Sequence, residues 1–527
     1  MAIKNWDLNY EIVKSELLEE GKYGLIMLSI LDFLFKDSVQ DIIGEINGKF
    51  NSKYGNKAYN RGMLLCVFLY CHHCHVMKLV DIERMVKYDK IIRLVTCNKD
   101  ISRSTLERFQ TETRSIAFKK IFLSTLLEAN DYGFLKFLKA FIDGTDGQIN
   151  GSKNYTLNIK ELNGLKLLKR WNITHNNKEK SKKQFIEKLK KKALEFDENC
   201  DEFLCIALIL KNPYKFNNKM IKRIDEFEKA INENEKDYIS INFNEAVMMK
   251  TKNGKFNFGF NIQTIMTEHK LVISSLISSK PNDHYVAEEV ILDLIENFKI
   301  LLKIVKKHGD RKNYKEIENM LSRAIYIFDS GYFTDKNIED MAKFELKTLI
   351  MPKQLSRQIN NEIRKNNDLK VKIGFRSNKD KITKKDFKRV INGYICPMDE
   401  KLELIKVRDK KTRKGHTSTQ KSYIHKCFKC LNCSIKDKCA GDKDYKEIQE
   451  YMLPAAYEMT NKLLNKRYEK IYAERFHSSE GINGYYKNIL GTIHLLGSNK
   501  ESVQNGIYLI NTIYNITRIR NLKGTAY

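Results

Sequence analysis

Proline is scarce in this sequence, with only five prolines among 527 residues, and none of them precedes Pro213. Because proline interrupts helices, long unbroken helices are expected in the segment before Pro213. Within that segment, Leu64, Phe68 and Cys71 are spaced so that they would share one face of a helix. The sequence therefore predicts a helical N-terminal domain over residues 1–130.

Long uncharged hydrophobic runs are also missing. The apolar stretch Leu25–Phe35 contains Asp32 and is too short to cross a bilayer. The segment Met1–Tyr23 carries five acidic residues and lacks the basic start and apolar run of a signal peptide. We therefore expect a cytoplasmic protein with no membrane partner. In that reducing compartment, the 11 cysteines would be thiols or metal ligands rather than disulfides.

Acidic residues are outnumbered by basic ones. The chain has 66 Asp and Glu against 94 Lys and Arg, which gives a formal net charge of +28. Such an excess attracts polyanions, and nucleic acid is the usual one. Part of the excess lies in residues 158–236, a predicted helical insertion rich in lysine, and part in residues 353–450, a predicted insertion rich in basic residues and cysteine. A lysine run is usually a solvated helix face, and contact with the DNA backbone is the alternative.

The remaining segments alternate between strand-like and helical patterns. Residues 137–352, apart from the lysine-rich insertion, contain short apolar runs that predict buried strands, and 286–307 predicts a helix. Residues 451–527 are predicted to be helices that pack back onto the sheet. The expected fold class is therefore α/β, with a mixed sheet flanked by helices.

Two acidic residues end buried apolar runs. Asp143 follows Phe141 and Ile142, Asp329 follows Ala324–Phe328, and each aspartate has a glycine within two residues. Ligands bind at strand ends in open α/β sheets, and a shared divalent cation would keep both carboxylates ionised. Capping of a turn is the alternative explanation for each aspartate.

A third carboxylate lies near the C-terminal end. Glu480 and Lys487 are seven positions apart, so they would lie two turns apart on one face of a helix. On that face, they could serve a metal ion and a phosphate, respectively.

Four blocks of the chain, in the same order, resemble bacterial insertion-sequence transposases of the DDE superfamily. Tyr472, Arg475, Glu480 and Lys487 resemble the Tyr-Arg-Glu-Lys signature of that group, although the gap from Arg475 to Glu480 is one residue longer than in its commonest form. The other blocks resemble the first-Asp motif, the strand that follows it and the second-Asp motif, and they are Phe141–Thr145, Gly259–Gln263 and Phe328–Tyr332. Tyr59–Arg114 looks like the helical N-terminal domain of the same group, whereas Asn244 stands where many relatives carry Asp.

The resemblance implies a ribonuclease H-like catalytic core completed by residues 451–527. Asp143, Asp329 and Glu480 would be the catalytic residues and would hold two Mg²⁺ ions, for which Mn²⁺ can substitute. Tyr472, Arg475 and Lys487 would bind DNA. Two nearby acids are excluded: Asp146 because the strand is expected to end before it, and Glu474 because no lysine follows it at the spacing of the signature.

The implied activity is cleavage of DNA at the ends of an insertion sequence, followed by joining of the 3′ ends to target DNA. The partners would be double-stranded DNA, as terminal inverted repeats and target, and a second copy of the chain in a homodimer or larger synaptic assembly. The helical N-terminal domain would bind the DNA ends, and the protein would be associated with the nucleoid. The alternatives are a non-catalytic DNA-binding protein derived from a transposase and a ribonuclease H-like nuclease without strand transfer.

Cysteines are concentrated in one short segment. Cys427, Cys430, Cys433 and Cys439 lie within thirteen positions, a spacing typical of tetrahedral zinc sites. Local spacing favours these four, whereas the resemblance favours Cys396 in place of Cys427. Four thiolates leave no position for water, so the zinc would be structural. A second cluster, Cys71–His75, lies in an apolar helical stretch and is explained by core packing.

Overall fold

The computed structural model describes most of the chain, namely residues 6–49, 58–149, 156–234, 238–250, 256–308, 311–353, 355–358, 361, 382–411, 417–475, 484–486, 494–495 and 499–525. Within those ranges, every helix is too short or too polar to cross a membrane.

Eight helices form the N-terminal region. They are α1 Tyr10–Glu19, α2 Gly21–Leu34, α3 Asp37–Lys49, α4 Arg61–His73, α5 Leu79–Tyr88, α6 Lys90–Val95, α7 Arg103–Glu112 and α8 Ser115–Asp131. Helix α4 is buried from Arg61 to His72, since its sequence is apolar on nearly every face and other helices surround it. This placement makes Cys71 and His72 core residues, whereas His73 and Cys74 are half-buried and His75 is exposed, so core packing explains only part of the Cys71–His75 cluster.

A long strand and a helical insertion follow. Strand β1 runs from Lys139 to Ile149. The insertion contains a two-stranded sheet and five helices, which are β2 Thr156–Asn158, α9 Ile159–Arg170, α10 Glu179–Ala193, α11 Asp201–Lys211, α12 Asn218–Ile221, α13 Ile224–Asn234 and β3 Tyr238–Ser240. It has a hydrophobic cluster of its own, with Leu165, Phe185 and Phe227 fully or nearly fully buried.

Strand β1 lies at the centre of the main sheet. Its next elements are β4 Val247–Lys250, β5 Phe256–Thr267, β6 Val272–Ser278, α14 Ala287–Lys307, α15 Arg311–Arg323, β7 Ile325–Phe328, α16 Asp335–Ala342 and β8 Lys347–Ile350. The strand order is β4-β5-β1-β7-β8, and β6 pairs with β5. Strand β5 is antiparallel to β1, whereas β7 and β8 are parallel to it, so the sheet is mixed.

A second, antiparallel sheet carries the cysteine-rich segment. Its elements are β9 Lys388–Val390, β10 Gly393–Ile395, β11 Lys401–Lys411, β12 Thr417–Cys427, the short helix α17 Lys436–Cys439 and β13 Lys446–Met452. The strand order is β13-β12-β11-β10-β9. A hairpin of β11 and β12 is therefore the centre of this insertion.

The C-terminal segment returns to the main sheet. Its elements are α18 Pro454–Leu463, α19 Lys466–Ala473, β14 His494–Leu495 and α20 Lys500–Thr525. Strand β14 extends the main sheet by pairing with Gln148 and Ile149 of β1. Helix α20 packs against α4, α8 and β6, which joins the N-terminal region to the core.

The mixed α/β sheet with a helical N-terminal region confirms those parts of the expected fold class. The expected end of the first strand is wrong, because β1 continues for six residues beyond Asp143. Its pairing with the long strand β5 extends from Ala140 to Gln148 and supports the extra length. Asp146 consequently lies in β1, opposite Asn261, and not in a turn.

Candidate functional site

Strands β1 and β7 bring two predicted site residues to neighbouring positions. Their parallel pairing ends with Ile142 opposite Phe328, so Asp143 and Asp329 occupy the next position on each chain. The apolar residues before each aspartate are buried, which fixes both strands in the core. Asp143 and Asp329 therefore lie side by side on neighbouring strands, although Asp143 lies within a strand and only Asp329 follows one.

One arginine pairs with both aspartates. Arg475 Nη2 lies 3.3 Å from Asp143 Oδ1, and Arg475 Nη1 lies 3.3 Å from Asp329 Oδ1. Arg475 follows α19 and is 7% exposed. Because the guanidinium is planar and presents its donors in a fork, it can hold the two carboxylates at a fixed separation.

The electrostatics of the site reflect this burial. Burial is the main cause that raises the pKa of Asp143 to about 6, and the charges of Asp329 and Asp283 act in the same direction, against Arg475. Burial opposes the charge on Arg475, but Asp329, Tyr472 and Asp143 together raise the pKa of its guanidinium. Asp143 is therefore more easily protonated than an ordinary aspartate, and Arg475 remains a cation.

Backbone donors orient each carboxylate. The Gly144 amide donates to Asp143 Oδ1 at 3.1 Å, and the Ser330 amide donates to Asp329 Oδ1 at 2.5 Å. Asp329 thereby caps a 3₁₀ turn over Ser330–Tyr332. Turn capping was the alternative to ligand binding for Asp329. Asp329 does cap a turn, and this does not prevent its carboxylate from also binding a ligand.

A further aspartate, which the sequence reasoning missed, faces the same centre. Asp283 begins a 3₁₀ turn after β6, and its Oδ1 accepts from Asn261 Nδ2 at 3.0 Å and from Gln263 Nε2 at 2.7 Å. Its position in a polar loop gives no periodic signal. Asn261 and Gln263 are two positions apart in β5, so both side chains point to the same face of the sheet. This pair of amides is the signal in the sequence that could have indicated a carboxylate opposite them.

The other predicted residues near the site have different surroundings. Tyr472 is fully buried and packs with Phe141 and Ile327, so its ring is part of the core and not of a surface open to DNA. Glu474 pairs with Lys139 at 2.6 Å, at the start of β1 and away from Asp143. Glu480 and Lys487 lie outside the described residues.

The five candidate zinc ligands line one small cavity. Cys427 and Cys430 are buried, whereas Cys396, Cys433 and Cys439 are half-buried. Two backbone amides, of Met398 and Glu400, donate to Cys396 Sγ at 3.3 Å each. In the part of the chain that the structure describes, no group of three or more His, Cys, Asp or Glu side chains has the arrangement of a metal site.

One comparison with known proteins gives a match. Residues 395–520 match the family model of a transposase DDE domain. The matched segment runs from the end of β10 into α20 and includes Arg475, whereas β1 and β7, with Asp143 and Asp329, precede it. No curated protein and no solved structure matches the chain. The family match supports a DDE-type transposase and is consistent with the mixed α/β fold.

Proposed function

We propose that the chain is a DNA transposase that cuts the ends of an insertion sequence and joins the 3′ ends to target DNA. The observation that carries this proposal is the convergence of Asp143 and Asp329 on the guanidinium of Arg475. Neighbouring parallel strands with a carboxylate each are a suitable platform for metal-dependent phosphodiester chemistry. The match of residues 395–520 to a transposase DDE domain supports the same reaction class.

The donor set fits a hard divalent cation. Carboxylate oxygens are the protein ligands that Mg²⁺ prefers, and the two aspartates already share one cationic group, the Arg475 guanidinium. Asp143, Asp329 and Glu480 would hold two Mg²⁺ or Mn²⁺ ions. Bound there, such ions would activate the attacking oxygen and stabilise the leaving oxygen.

Two reactions at phosphorus account for the proposed activity. In the first, water attacks the phosphodiester at the end of the element, the bond from phosphorus to the 3′ oxygen breaks, and a 3′-hydroxyl is released. In the second, that hydroxyl attacks a target phosphodiester and displaces the 3′ oxygen of the target strand. Lys487 would contact phosphates near the cut, whereas Arg475, which is 7% exposed, would act through the two carboxylates that it pairs with. The net charge of +28 suits a DNA partner.

Substitution of the carboxylates tests the proposal. Asp143→Asn, Asp329→Asn and Glu480→Gln should each abolish Mg²⁺-dependent cleavage of double-stranded DNA that carries the terminal inverted repeats, while gel-shift binding persists. Glu474→Gln is the matched control, since Glu474 pairs with Lys139 and should be dispensable for chemistry. Normal cleavage by any of the three variants would remove that residue from the site.

The alternatives predict different products. A ribonuclease H-like nuclease would release ends without joining them, so a strand-transfer assay with supercoiled target DNA separates it from a transposase. A non-catalytic DNA-binding protein would bind the ends but would not nick them with any divalent metal. The paired aspartates fit a nuclease as well as a transposase, and the match of residues 395–520 to a transposase DDE domain favours the transposase.

We also propose that the cysteine-rich segment binds a structural zinc ion. Support comes from the cavity that all five cysteines line and from the two amides that donate to Cys396 Sγ, because such donors stabilise a thiolate. Cys430, Cys433 and Cys439 would be joined by either Cys396 or Cys427. The two amide donors favour Cys396.

The remaining proposals concern assembly and location. The transposase would act as a homodimer or larger synaptic assembly, because two element ends must be joined to one target. It would work in the cytoplasm on nucleoid DNA. Size-exclusion chromatography with light scattering, in the presence and absence of end DNA, tests the assembly.

A further inference from the structure

Asp283 is not one of the predicted catalytic residues. It nevertheless lies close to the segments that carry Asp143 and Asp329. The residue begins a 3₁₀ turn, Asp283–Tyr285, between β6 and α14. A Cβ atom added to Gly144 would lie 2.4 Å from Asp283 Oδ1, and one added to Gly331 would lie 3.3 Å from Asp283 Oδ2. The carboxylate therefore sits directly over the glycines that follow Asp143 and Asp329.

Two amide side chains fix one oxygen of this carboxylate. Asn261 Nδ2 and Gln263 Nε2 both donate to Asp283 Oδ1, at 3.0 and 2.7 Å. Both amides are almost completely buried, and Gln263 in turn accepts a hydrogen bond from the Tyr332 hydroxyl. Amide groups buried in this way have few alternative partners, so Asp283 Oδ1 is held firmly.

The same network reaches the turn that follows Asp329. Asn337 Nδ2 donates to the Asp283 carbonyl oxygen at 3.3 Å and to the Tyr332 carbonyl oxygen at 2.8 Å. Thr334 Oγ1 donates to the His284 carbonyl oxygen at 3.0 Å. Asp283 thus belongs to a set of hydrogen bonds that joins β5, its own turn and the segment after β7.

We propose that Asp283, held by Asn261 and Gln263, is a positioning residue that fixes the backbone segments after Asp143 and Asp329, so that the two carboxylates can share a divalent cation. The inference rests on the proposed function. Asp283 Oδ1 is engaged by the two amides, whereas Oδ2 is directed to Gly331, on the side of Asp329. Removing the negative charge and Oδ2, while keeping Oδ1, should therefore weaken cation binding without breaking the network.

Calorimetric titration of the full-length protein with Mn²⁺ alone tests this role. In Asp283→Asn, the side-chain oxygen can still accept from Asn261 and Gln263, so the fold should persist. Outer residues that orient metal ligands typically contribute tenfold or more to metal affinity, and the Kd for Mn²⁺ should rise about 10-fold to 100-fold. Gln263→Glu, which places a like charge against Asp283, is a second variant and should shift the Kd in the same direction.

Asp293→Asn is the matched control. Asp293 is also a partly buried, hydrogen-bonded aspartate, but its partners Lys119, Ser274 and Asn297 lie away from the site. Its substitution should lower Tm and leave the Kd for Mn²⁺ unchanged. If Asp283→Asn also lowers Tm and leaves the Kd for Mn²⁺ unchanged, Asp283 only stabilises the fold and the inference is overturned.

Asp143→Asn and Asp329→Asn separate this inference from the proposed function. If they weaken Mn²⁺ binding and neither Asp283→Asn nor Gln263→Glu does, only the role of Asp283 fails. If they too leave the Kd unchanged, the proposed metal centre fails, and the positioning role with it.

Discussion

Arg475 Nη2 lies 3.3 Å from Asp143 Oδ1, a hydrogen bond that spans 332 positions of the chain. Asp143 belongs to a strand fixed in the core, whereas Arg475 follows α19, after both insertions. The pair therefore ties the C-terminal helices to the main sheet at the candidate site.

Removal of Arg475 should destabilise the protein in a way that metal reverses. Arg475→Ala removes the guanidinium that pairs with both Asp143 and Asp329. Breaking a buried pair costs about 3–5 kcal/mol, and the partial exposure of Asp329 reduces the expected loss to about 2 kcal/mol. Urea denaturation should show this loss, and added Mg²⁺ should restore part of it.

Two further variants serve as controls for Arg475. Arg475→Lys keeps the charge and should lose less stability. Arg84→Ala breaks the exposed pair with Asp81 and should change stability by less than about 0.5 kcal/mol. If Arg475→Ala is as stable as wild type, the guanidinium does not hold the two carboxylates.

The pKa of Asp143 predicts a stability difference between wild type and Asp143→Asn that depends on pH. The folded pKa of about 6 is above the ordinary value of 3.8, so between these values the folded state keeps a proton that the unfolded state has lost. The stability of metal-free wild type, relative to the variant, should therefore fall as pH rises through this window, by about 1.4 kcal/mol per pH unit.

Urea denaturation of both proteins at intervals from pH 4 to 7 measures the relative stability. Above about pH 6 the difference should be constant, since Asp143 is then ionised in both states. Mg²⁺ competes with the proton, so its affinity should increase with pH through the same window. A difference that stays constant from pH 4 to 7 would show that burial does not raise the pKa.

Gly259 should tolerate no side chain. A Cβ atom at this position in β5 would lie 2.2 Å from the Gly147 carbonyl oxygen of β1, and because that oxygen is a backbone atom, the strands would have to separate. Gly259→Ala should lower the free energy of unfolding by about 1–3 kcal/mol, measured by urea denaturation.

Gly506→Ala is the opposite case. Gly506 lies inside α20, and a Cβ atom there would have no heavy atom within 4 Å. Alanine is a better helix former than glycine by about 1 kcal/mol, so this variant should be more stable than wild type. Equal effects of the two substitutions would contradict the close approach of β1 and β5.

The cysteine-rich segment should bind one zinc ion with an affinity that depends on pH. Burial, with the neighbouring Cys427, raises the pKa of the Cys430 thiol to about 11, so zinc binding at neutral pH must displace protons and should weaken as pH falls. We expect one zinc per chain by atomic absorption and its loss in Cys430→Ser, Cys433→Ser and Cys439→Ser. Cys205→Ser should keep the metal.

Measuring the zinc content of two further variants by atomic absorption decides whether Cys396 or Cys427 is the fourth zinc ligand. Cys396→Ser should lose zinc and Cys427→Ser should retain it, since the Met398 and Glu400 amides donate to Cys396 Sγ. The reverse result would make Cys427 the ligand, and retention of zinc in every variant would remove the site from this segment.

Local pattern alone predicted several strands of the main sheet and placed Asp143 and Asp329 next to apolar runs, but it did not predict the second sheet. Continuous apolar runs predicted β7 and the start of β1, because a strand buried on both faces needs such a run. Pattern failed at the end of β1, where polar residues Asp143–Gln148 remain extended. Their extension depends on pairing with β5, and a partner more than 100 positions later leaves no trace in local periodicity.

The sequence by itself determined three features: the apolar runs that form the strands bearing Asp143 and Asp329, the excess of basic charge that suits DNA, and the cysteine cluster. Only the tertiary structure decided that Arg475 joins the two aspartates, that Asp283 lies over their glycines and that Tyr472 is core. Propensity and periodicity act over a few residues, whereas these contacts depend on how distant elements pack. Such packing is set by the complementary shapes and charges of the whole core, which no short segment contains.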